Sequence, residues 1–298
     1  MKAIFVLGSL NADLCVYAPR FPKPGETLKG ERFHIGNGGK GLNQAIAAAK
    51  LGGVVHFLGA VGHDAFGFDM KEALRKVGVD VSTVYERNDI ASGVALITVA
   101  PNENEIVLDL GANLTLNQSE IDAFLSKAKP GDIFLSQGEN NPLALSYALQ
   151  KAHEKKLFTV LNPAPASLAM RSYFPNVDLL CPNETEAALL GAKLGEVPEL
   201  VTTLGPAGFS YQHGGVAYQE SPIPVHALDS TGAGDAFCGS LCYFLSLNIP
   251  MAHALTLASA YASDSVTKLG TSAAMATSQE FHDFLRKNRP EDLKLFVL

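Results

Sequence analysis

Leu228-Asp-Ser-Thr-Gly-Ala-Gly-Asp-Ala-Phe237 is the stretch on which the reading of this chain turns. Three small residues, Gly232, Ala233 and Gly234, precede a carboxylate at Asp235, and the apolar, glycine-interrupted run behind it reads as a buried helix. A glycine-rich turn feeding a helix start leaves backbone N–H groups unpaired and aimed at one spot, with the positive end of the helix dipole behind them. Such a spot holds a phosphate. A carboxylate at its mouth repels the ligand the turn attracts, so Asp235 is read as a proton acceptor. An aspartate N-cap after a flexible turn is the competing reading.

A second glycine-rich turn, Gly36-Asn-Gly-Gly-Lys-Gly-Leu-Asn43, opens an Ala-rich helix ended by Gly52 and Gly53. Gly38, Gly39, Lys40 and Asn43 lie at its start. No hydroxyl follows Lys40 and the glycine spacing is wrong for a Walker loop, nor is this the dinucleotide fingerprint after a first strand. A helix entry with a solvated lysine is the plain alternative.

Before and between these turns the chain alternates short apolar runs with helical stretches, the rhythm of an α/β fold with a mostly parallel sheet covered on both faces. Ala3–Gly8 is such a strand, followed by Asn11 and Asp13; Val54–Ala60 is another, and Asp64–Val77 reads as a helix. Ile133–Ser136 precedes Glu139, Phe158–Leu161 precedes Asn162, Leu179–Leu180 precedes Asn183 and Glu186, and Leu200–Leu204 runs into Gly-Pro-Ala-Gly. Ligands in open α/β sheets bind beyond the strands' carboxyl ends, so polar residues gathering there predict a site. Short strands are expected at Phe209–Tyr211, Val216–Gln219 and Ile223–Val225, and helices at Cys238–Leu247, Met251–Thr267 and Ser278–Lys287.

Two excursions break the rhythm. Strand-like pieces at Leu14–Ala18 and Thr27–Ile35, and at Gly93–Ala100 and Glu105–Leu110, form two antiparallel pairs, a lid of about four strands over 14–35 and 92–110. A sheet that small needs one face covered, by a ligand or a second subunit.

Composition narrows the function classes. A net charge of −7 without any Lys/Arg run argues against a nucleic-acid footprint or a polybasic membrane patch. The four cysteines, Cys15, Cys181, Cys238 and Cys242, lack metal-ligand spacing and read as reduced core residues. A strand begins within a few residues of Met1, leaving no room for a signal peptide, and no apolar run reaches a membrane span, so a cytoplasmic protein is expected. No repeat or linker divides 1–298, which reads as one domain with the lid inserted.

Two phosphate-friendly turns, a poised carboxylate, polar groups suited to hydroxyls and no nucleophilic triad point to phosphoryl transfer onto a sugar-like alcohol. The motifs resemble the ribokinase-like sugar kinases of the phosphofructokinase-B group. Residues 229–237 look like that family's C-terminal signature and Gly-Gly-Lys-Gly-x-Asn at 38–43 like its N-terminal one. Asn-Ala-Asp at 11–13, Asn-Pro-Ala-Pro-Ala at 162–166 and Pro-Asn-Glu-Thr-Glu at 182–186 resemble the ribokinase branch in particular. The match runs nearly end to end.

That resemblance implies a three-layer α/β/α fold and an ATP-dependent kinase acting on the 5-hydroxyl of D-ribose or a similar pentose. It makes Asp235 the base and the amides of Gly232, Ala233 and Gly234 an anion hole. Asn11, Asp13, Gly38, Gly39, Lys40, Asn43 and Glu139 would hold the sugar, with Ala95 on the lid against its ring. Asn183, the turn Thr203, Leu204, Gly205, Pro206, Ala207 and Gly208, together with Gly234 and Ser259, would face ATP. Glu186 would organise Mg²⁺ through waters, and Asp229 with the Thr231 carbonyl would belong to a monovalent-cation site, K⁺ in the family. The lid would also form a homodimer contact.

Three departures stand out. Only fourteen residues separate Glu186 from Val201, which predicts a trimmed nucleotide-side sheet edge. Ala274 replaces a serine near the cation. The hydroxyl contacts are partly shared with kinases of deoxyribose, nucleosides and hexoses, the enzymatic alternatives; a silent sugar- or nucleotide-binding protein is the non-enzymatic one.

Overall fold

Continuous apolar runs without helical period become central strands because both faces of each are covered. In a computed structural model describing residues 1–101, 103–191, 195–213 and 216–296, β1 (Ile4–Leu7) is such a strand, buried along its whole length. The chain continues through β2 (Asn11–Tyr17), β3 (Arg32–Gly38), α1 (Lys40–Lys50), β4 (Val55–Gly62), α2 (Ala65–Lys76) and β5 (Asp80–Arg87). Next come β6 (Gly93–Ala100), β7 (Glu103–Asp109), α3 (Gln118–Leu125), β8 (Ile133–Gln137), α4 (Pro142–Glu154), β9 (Phe158–Asn162) and β10 (Leu179–Leu180). The last third holds α5 (Glu184–Leu190), β11 (Glu199–Thr203), β12 (Phe209–His213), β13 (Val216–Glu220), α6 (Ala233–Ser246), α7 (Met251–Ser265) and α8 (Ser278–Asn288).

Among the described residues the main sheet has nine strands in the order β13-β12-β11-β10-β9-β8-β1-β4-β5, parallel except where β12 pairs with its two neighbours. Helices cover both faces and make two cores. One lies against α1, α6, α7 and α8 around Leu42, Phe57, Leu241 and Tyr261; the other lies against α3 and α4 around Phe5, Phe124, Phe134 and Leu149. Burial of these aliphatic and aromatic side chains is the main force holding the layers together.

The strand order brings β1, β8, β9 and β10 side by side, so their carboxyl ends deliver residues 8–11, 137–139, 162 and 181–183 to one rim. Helix α1 starts on that rim because glycine faces glycine there: a Cβ on Gly41 would sit 2.3 Å from the Cα of Gly8. Any larger residue at either position would push the first turn of α1 off the sheet.

The second sheet, β3-β2-β6-β7, stands beside the rim. Both expected antiparallel pairs are present, and the pairing that joins them, β2 to β6, is parallel. Its bounds differ from the sequence expectation: β2 starts at Asn11 and so carries Asp13, while residues 27–31 lie outside β3, which runs on to Gly38. Three further expectations need correction. Ile223–Val225 is not a strand; its prolines at 222 and 224 withhold ladder donors. The sheet edge is not trimmed: β11 to β13 are all present, and the shortening falls on the crossover, whose helix α5 spans seven residues. The final part of that crossover includes residues 192–194, outside the described set. Helix α6 begins at Ala233 rather than Cys238, so Asp235 sits within its first turn.

Candidate active site

Gly232 caps α6 with φ of +80°, a left-handed conformation that costs glycine little and other residues more. This turn directs the helix start at a cleft lined by Lys40, Asn162, Cys181, Asn183, Glu186, Thr203, Ser230, Gly232 to Asp235 and Cys238. Of the three amides assigned to an anion hole, that of Ala233 donates to the Ser230 carbonyl at 3.2 Å. The helix start still presents its remaining first-turn donors and its positive dipole end to the cleft.

Asp235 is 7% exposed. Helix α1 lies so close to α6 that a Cβ on Gly239 would meet the Gln44 carbonyl oxygen at 2.3 Å. That approach lets Asn43 Nδ2 donate to Asp235 Oδ2 at 2.9 Å and Gln44 Nε2 donate to Asp235 Oδ1 at 2.9 Å. The Gln44 amide has no freedom to turn over. Asn162 Nδ2 donates to the Cys181 carbonyl (2.8 Å), which aims Asn162 Oδ1 at Gln44 Nε2 (3.1 Å), while Gln137 Nε2 donates to Gln44 Oε1 (2.8 Å). Burial pushes the Asp235 carboxyl above the usual carboxylate range, and the Lys40 ammonium and the two amide donors oppose that rise. The result is a carboxylate fixed at both oxygens and dry enough to be a stronger base than a surface aspartate.

Lys40 is the cation that lines the cleft among the described residues. Burial works against its charge, but Asp235, Glu139 and Glu186 together hold its pKa above the ordinary lysine value. Glu139 is buried at the carboxyl end of β8, where its Oε2 accepts from Ser9 Oγ (2.5 Å), Lys40 N (3.1 Å) and Asn11 Nδ2 (3.3 Å). Asn113 Nδ2 in turn donates to Asn11 Oδ1 at 2.8 Å. On β2, Asp13 leans over Gly38 so closely that a Cβ there would fall 2.2 Å from Asp13 Oδ2. Its register partner on β6 is Ala95. Burial, with the charges of Glu139 and Asp235 adding to it, pushes the Asp13 carboxyl up to about 7.

On the opposite side, Asn183 and Glu186 form a capping box at the start of α5, and Asn183 bridges to Thr203 across the sheet. Burial raises the Glu186 carboxyl, opposed by the Asn183 N–H and by Lys40. Leu204 to Gly208 form a closed turn, with Leu204 N donating to the Gly208 carbonyl at 2.8 Å. Asp229 accepts from Thr231 N (2.9 Å) and Gly270 N (3.0 Å); Ala274 is buried nearby in the same loop as Gly270 and offers a methyl where a hydroxyl was expected. Among the described residues no set of three or more His, Cys, Asp or Glu gathers to hold a metal ion.

The structure thus joins Asp235, Gly232 to Gly234, Lys40, Asn183, Glu186 and Thr203 around one cleft; Asn43 is hydrogen-bonded to Asp235, Glu139 to the Lys40 backbone and Asn11 to Glu139, while Asp13 lies over Gly38 at the lid. Ser259 is buried in α7 and does not line this cleft. Cys15 is half-buried on the lid rather than in the core, while Cys181 and Cys238 line the cleft; all four cysteines are free thiols. The sequence reading missed Ser9, Gln44 and Asn113. Gln44 had a signal, an amide beside Asn43 in an Ala/Ile helix; Asn113 had little, since beyond the local Leu110 carbonyl its partners, Leu10 and Asn11, lie 103 and 102 residues away.

Residues 1–278 match the model of the pfkB family carbohydrate kinases. The chain is similar to a ribokinase of Haemophilus influenzae, 35% identical over 95% of this chain and 98% of that one. It is likewise similar to a deoxyribokinase of Salmonella typhi, 32% identical over 96% and 99%. An Arabidopsis thaliana ribokinase complexed with ribose and ATP superposes with a TM-score of 0.84 at 27% identity, covering 96% of this chain and 99% of that one.

Proposed function

We propose that this chain, which belongs to the pfkB family of carbohydrate kinases, transfers the γ-phosphoryl group of ATP to the 5-hydroxyl of D-ribose or a close pentose. The observation that carries this reading is Asp235, a buried carboxylate fixed at both oxygens by Asn43 and Gln44 beside a helix start and a lysine. In the reaction the sugar oxygen forms a bond to the γ-phosphorus, the bond from that phosphorus to the β–γ bridging oxygen breaks, and the hydroxyl proton passes to Asp235. Lys40 and the first-turn donors of α6 face the charge on the migrating group.

Asn11, Asp13, Gly39, Asn43 and Glu139 hold the sugar hydroxyls. Asn43 supports this: its Oδ1 is buried without a partner among the described residues, an acceptor waiting for a donor. Asn183, Thr203 to Gly208 and Gly234 face the nucleotide, and Ser259, buried in α7 outside the cleft lining, is left with a role near the base only if that helix contributes to a second wall. Glu186 fits a magnesium ion that keeps its waters and takes phosphate oxygens, since it brings a single half-buried carboxylate to the cleft. Held there, such an ion would supply positive charge to offset that of the phosphates. Asp229 and the Thr231 carbonyl share one turn and would hold a monovalent cation, a site that Ala274 leaves one hydroxyl poorer.

Coupled ADP release measured on pentoses, hexoses and nucleosides, with and without potassium, tests the reading. Ribose should give the highest kcat/KM. Preference for 2-deoxyribose, which the Salmonella relative favours as second reading, would move the substrate but keep the chemistry. Tight sugar binding without ADP release from any acceptor would leave a silent binding protein instead.

Asp13 makes the reading pH-dependent. Holding hydroxyl donors requires the ionised carboxylate, so kcat/KM for the sugar should climb as pH rises through about 7. Free-protein stability should run the other way. A carboxyl raised from 3.8 to about 7 binds a proton in the folded state that the unfolded chain has already lost. Its contribution is complete below about pH 4 and disappears as pH rises through 7. Asp13→Asn should abolish both limbs; a variant that keeps the limb near 7 assigns it elsewhere.

The lid supports a homodimer. Its register places Phe33, Val16 and Thr98 in one row and Ile35, Leu14, Leu96 and Val107 in the next, on the face opposite Asp13. Val107 is 69% exposed and Leu96 53% exposed, a contiguous apolar patch of the kind that marks an interface. Leu96→Glu should bury an unpaired charge and convert a dimer to a monomer by light scattering. A wild-type monomer would reject the contact. The same reading takes 1–298 as one kinase unit with the lid inserted, working in a reducing, cytoplasmic setting that suits its free thiols.

A further inference from the structure

Lys50 is the last residue of α1, where a basic side chain ordinarily faces its own helix carbonyls. Here it does something else. Its Nζ donates to the Met275 carbonyl at 2.7 Å and to the Ser272 carbonyl at 3.4 Å, partners 225 and 222 residues away. Burial depresses its pKa; Glu280 opposes that, and Lys268 adds to it. Glu280 accepts from Thr277 and Lys268 pairs with Asp264, so Lys50 is held by carbonyl oxygens instead of a carboxylate.

The loop it grips, residues 270–275, touches three parts of the site. Gly270 N donates to the Asp229 carboxylate, the one that also accepts from Thr231 N. Thr271 lies against Gly232, where a Cβ would come within 3.4 Å of its Cα. Ser272 Oγ donates at 3.1 Å to the carbonyl of Asn37 on the lid strand just before Gly38. Lys50 adds the fourth tie, to the helix whose other end carries Lys40, Asn43 and Gln44.

We propose that Lys50 is the built-in cation of this loop and a positioning residue for the Asp229–Asp235 turn, acting through two convergent carbonyl groups. Convergent carbonyl oxygens repel one another unless a cation or donors sit between them, and an ammonium supplies both. With Lys50 in place the loop presses on Gly232 and presents Gly270 to Asp229; without it those carbonyls turn to water and the turn loses its backing. This deepens the kinase reading, because the turn so braced is the one assigned to the phosphoryl group.

The test compares Lys50→Met and Lys50→Arg with the wild-type chain. In the ligand-free protein, hydrogen exchange at the Gly270 and Thr231 amides should be about tenfold faster in Lys50→Met, the size expected for loss of a charged hydrogen bond. Added methylammonium should slow it again, and Lys50→Arg should stay near wild type. In turnover, Lys50→Met should raise KM for ATP about tenfold while KM for the sugar moves little, again with partial rescue by methylammonium. Unchanged exchange, or faster exchange with unmoved KM for ATP, overturns the proposal. Should Lys50→Met fail to fold, Lys50→Gln gives the same comparison. The exchange readout needs no turnover, so absence of kinase activity in the wild type would reject the kinase reading while leaving the Lys50 clamp measurable.

Discussion

Asp235→Asn should lower kcat by roughly 10²–10⁴, the usual effect of removing a general base, with KM for both substrates changed much less. The amide keeps the size of the side chain but cannot take the hydroxyl proton. It also puts a donor where two donors already point, since both carboxylate oxygens accept amide hydrogens from Asn43 and Gln44. One of those contacts becomes donor against donor, so the ring of Gln44, Gln137 and Asn162 loosens slightly and some loss of thermal stability should accompany the loss of rate. Asp235→Ala removes that conflict and isolates the chemistry. If both variants turn over sugar at rates near wild type while binding it normally, Asp235 is not the base. If Asp235→Asn alone fails, the defect lies in the hydrogen-bond ring rather than in proton transfer.

How much of this was legible beforehand follows from which interactions are local. The parallel strands announced themselves as apolar runs ending in glycine or polar residues, since burial on both faces leaves little room for alternation. The turn at 232–234 was legible for a similar reason: glycine and alanine before a carboxylate specify a helix start with open donors. Strand β5 was missed because, as an edge strand carrying Asp80, Glu86 and Arg87, it shows neither an apolar run nor strict alternation. The parallel pairing of β2 with β6 was equally hidden; their register is set across some eighty residues by how each hairpin leaves the main sheet, not by residues between them. Gln44 holds Asp235, and Asn113 holds Asn11, across 191 and 102 residues of chain, so these roles exist only once the sheet has folded.

The heavier consequence concerns Lys40. Three carboxylates, Asp235, Glu139 and Glu186, raise its pKa against burial, and the same ammonium restrains the upward shifts of all three. Lys40→Met removes the positive charge that, among the described residues, acts on each of them. Removing one preorganised group that faces charge developing in the transition state costs roughly 10²–10³ in rate, and a fall of that size in kcat/KM is expected. The pH profile should carry the signature. Asp235 must be ionised to act, and losing Lys40 lets burial raise its pKa further, so the acid limb of kcat, measured at saturating sugar and apart from the Asp13 limb of kcat/KM, should move to higher pH and activity should recover in part in alkaline buffer. Thermal stability should change in the opposite sense with pH, since carboxyls raised in the folded state stabilise it as they take up protons: the variant should be least stable, relative to wild type, above neutrality. Lys40→Arg should restore the charge but not the rate, because the planar guanidinium is wider than an ammonium and must share the cleft with Asn183 and Gly234. A Lys40→Met enzyme within a fewfold of wild type, or one whose acid limb stays where it was, would mean that the amide donors of Asn43 and Gln44 alone keep Asp235 ionised.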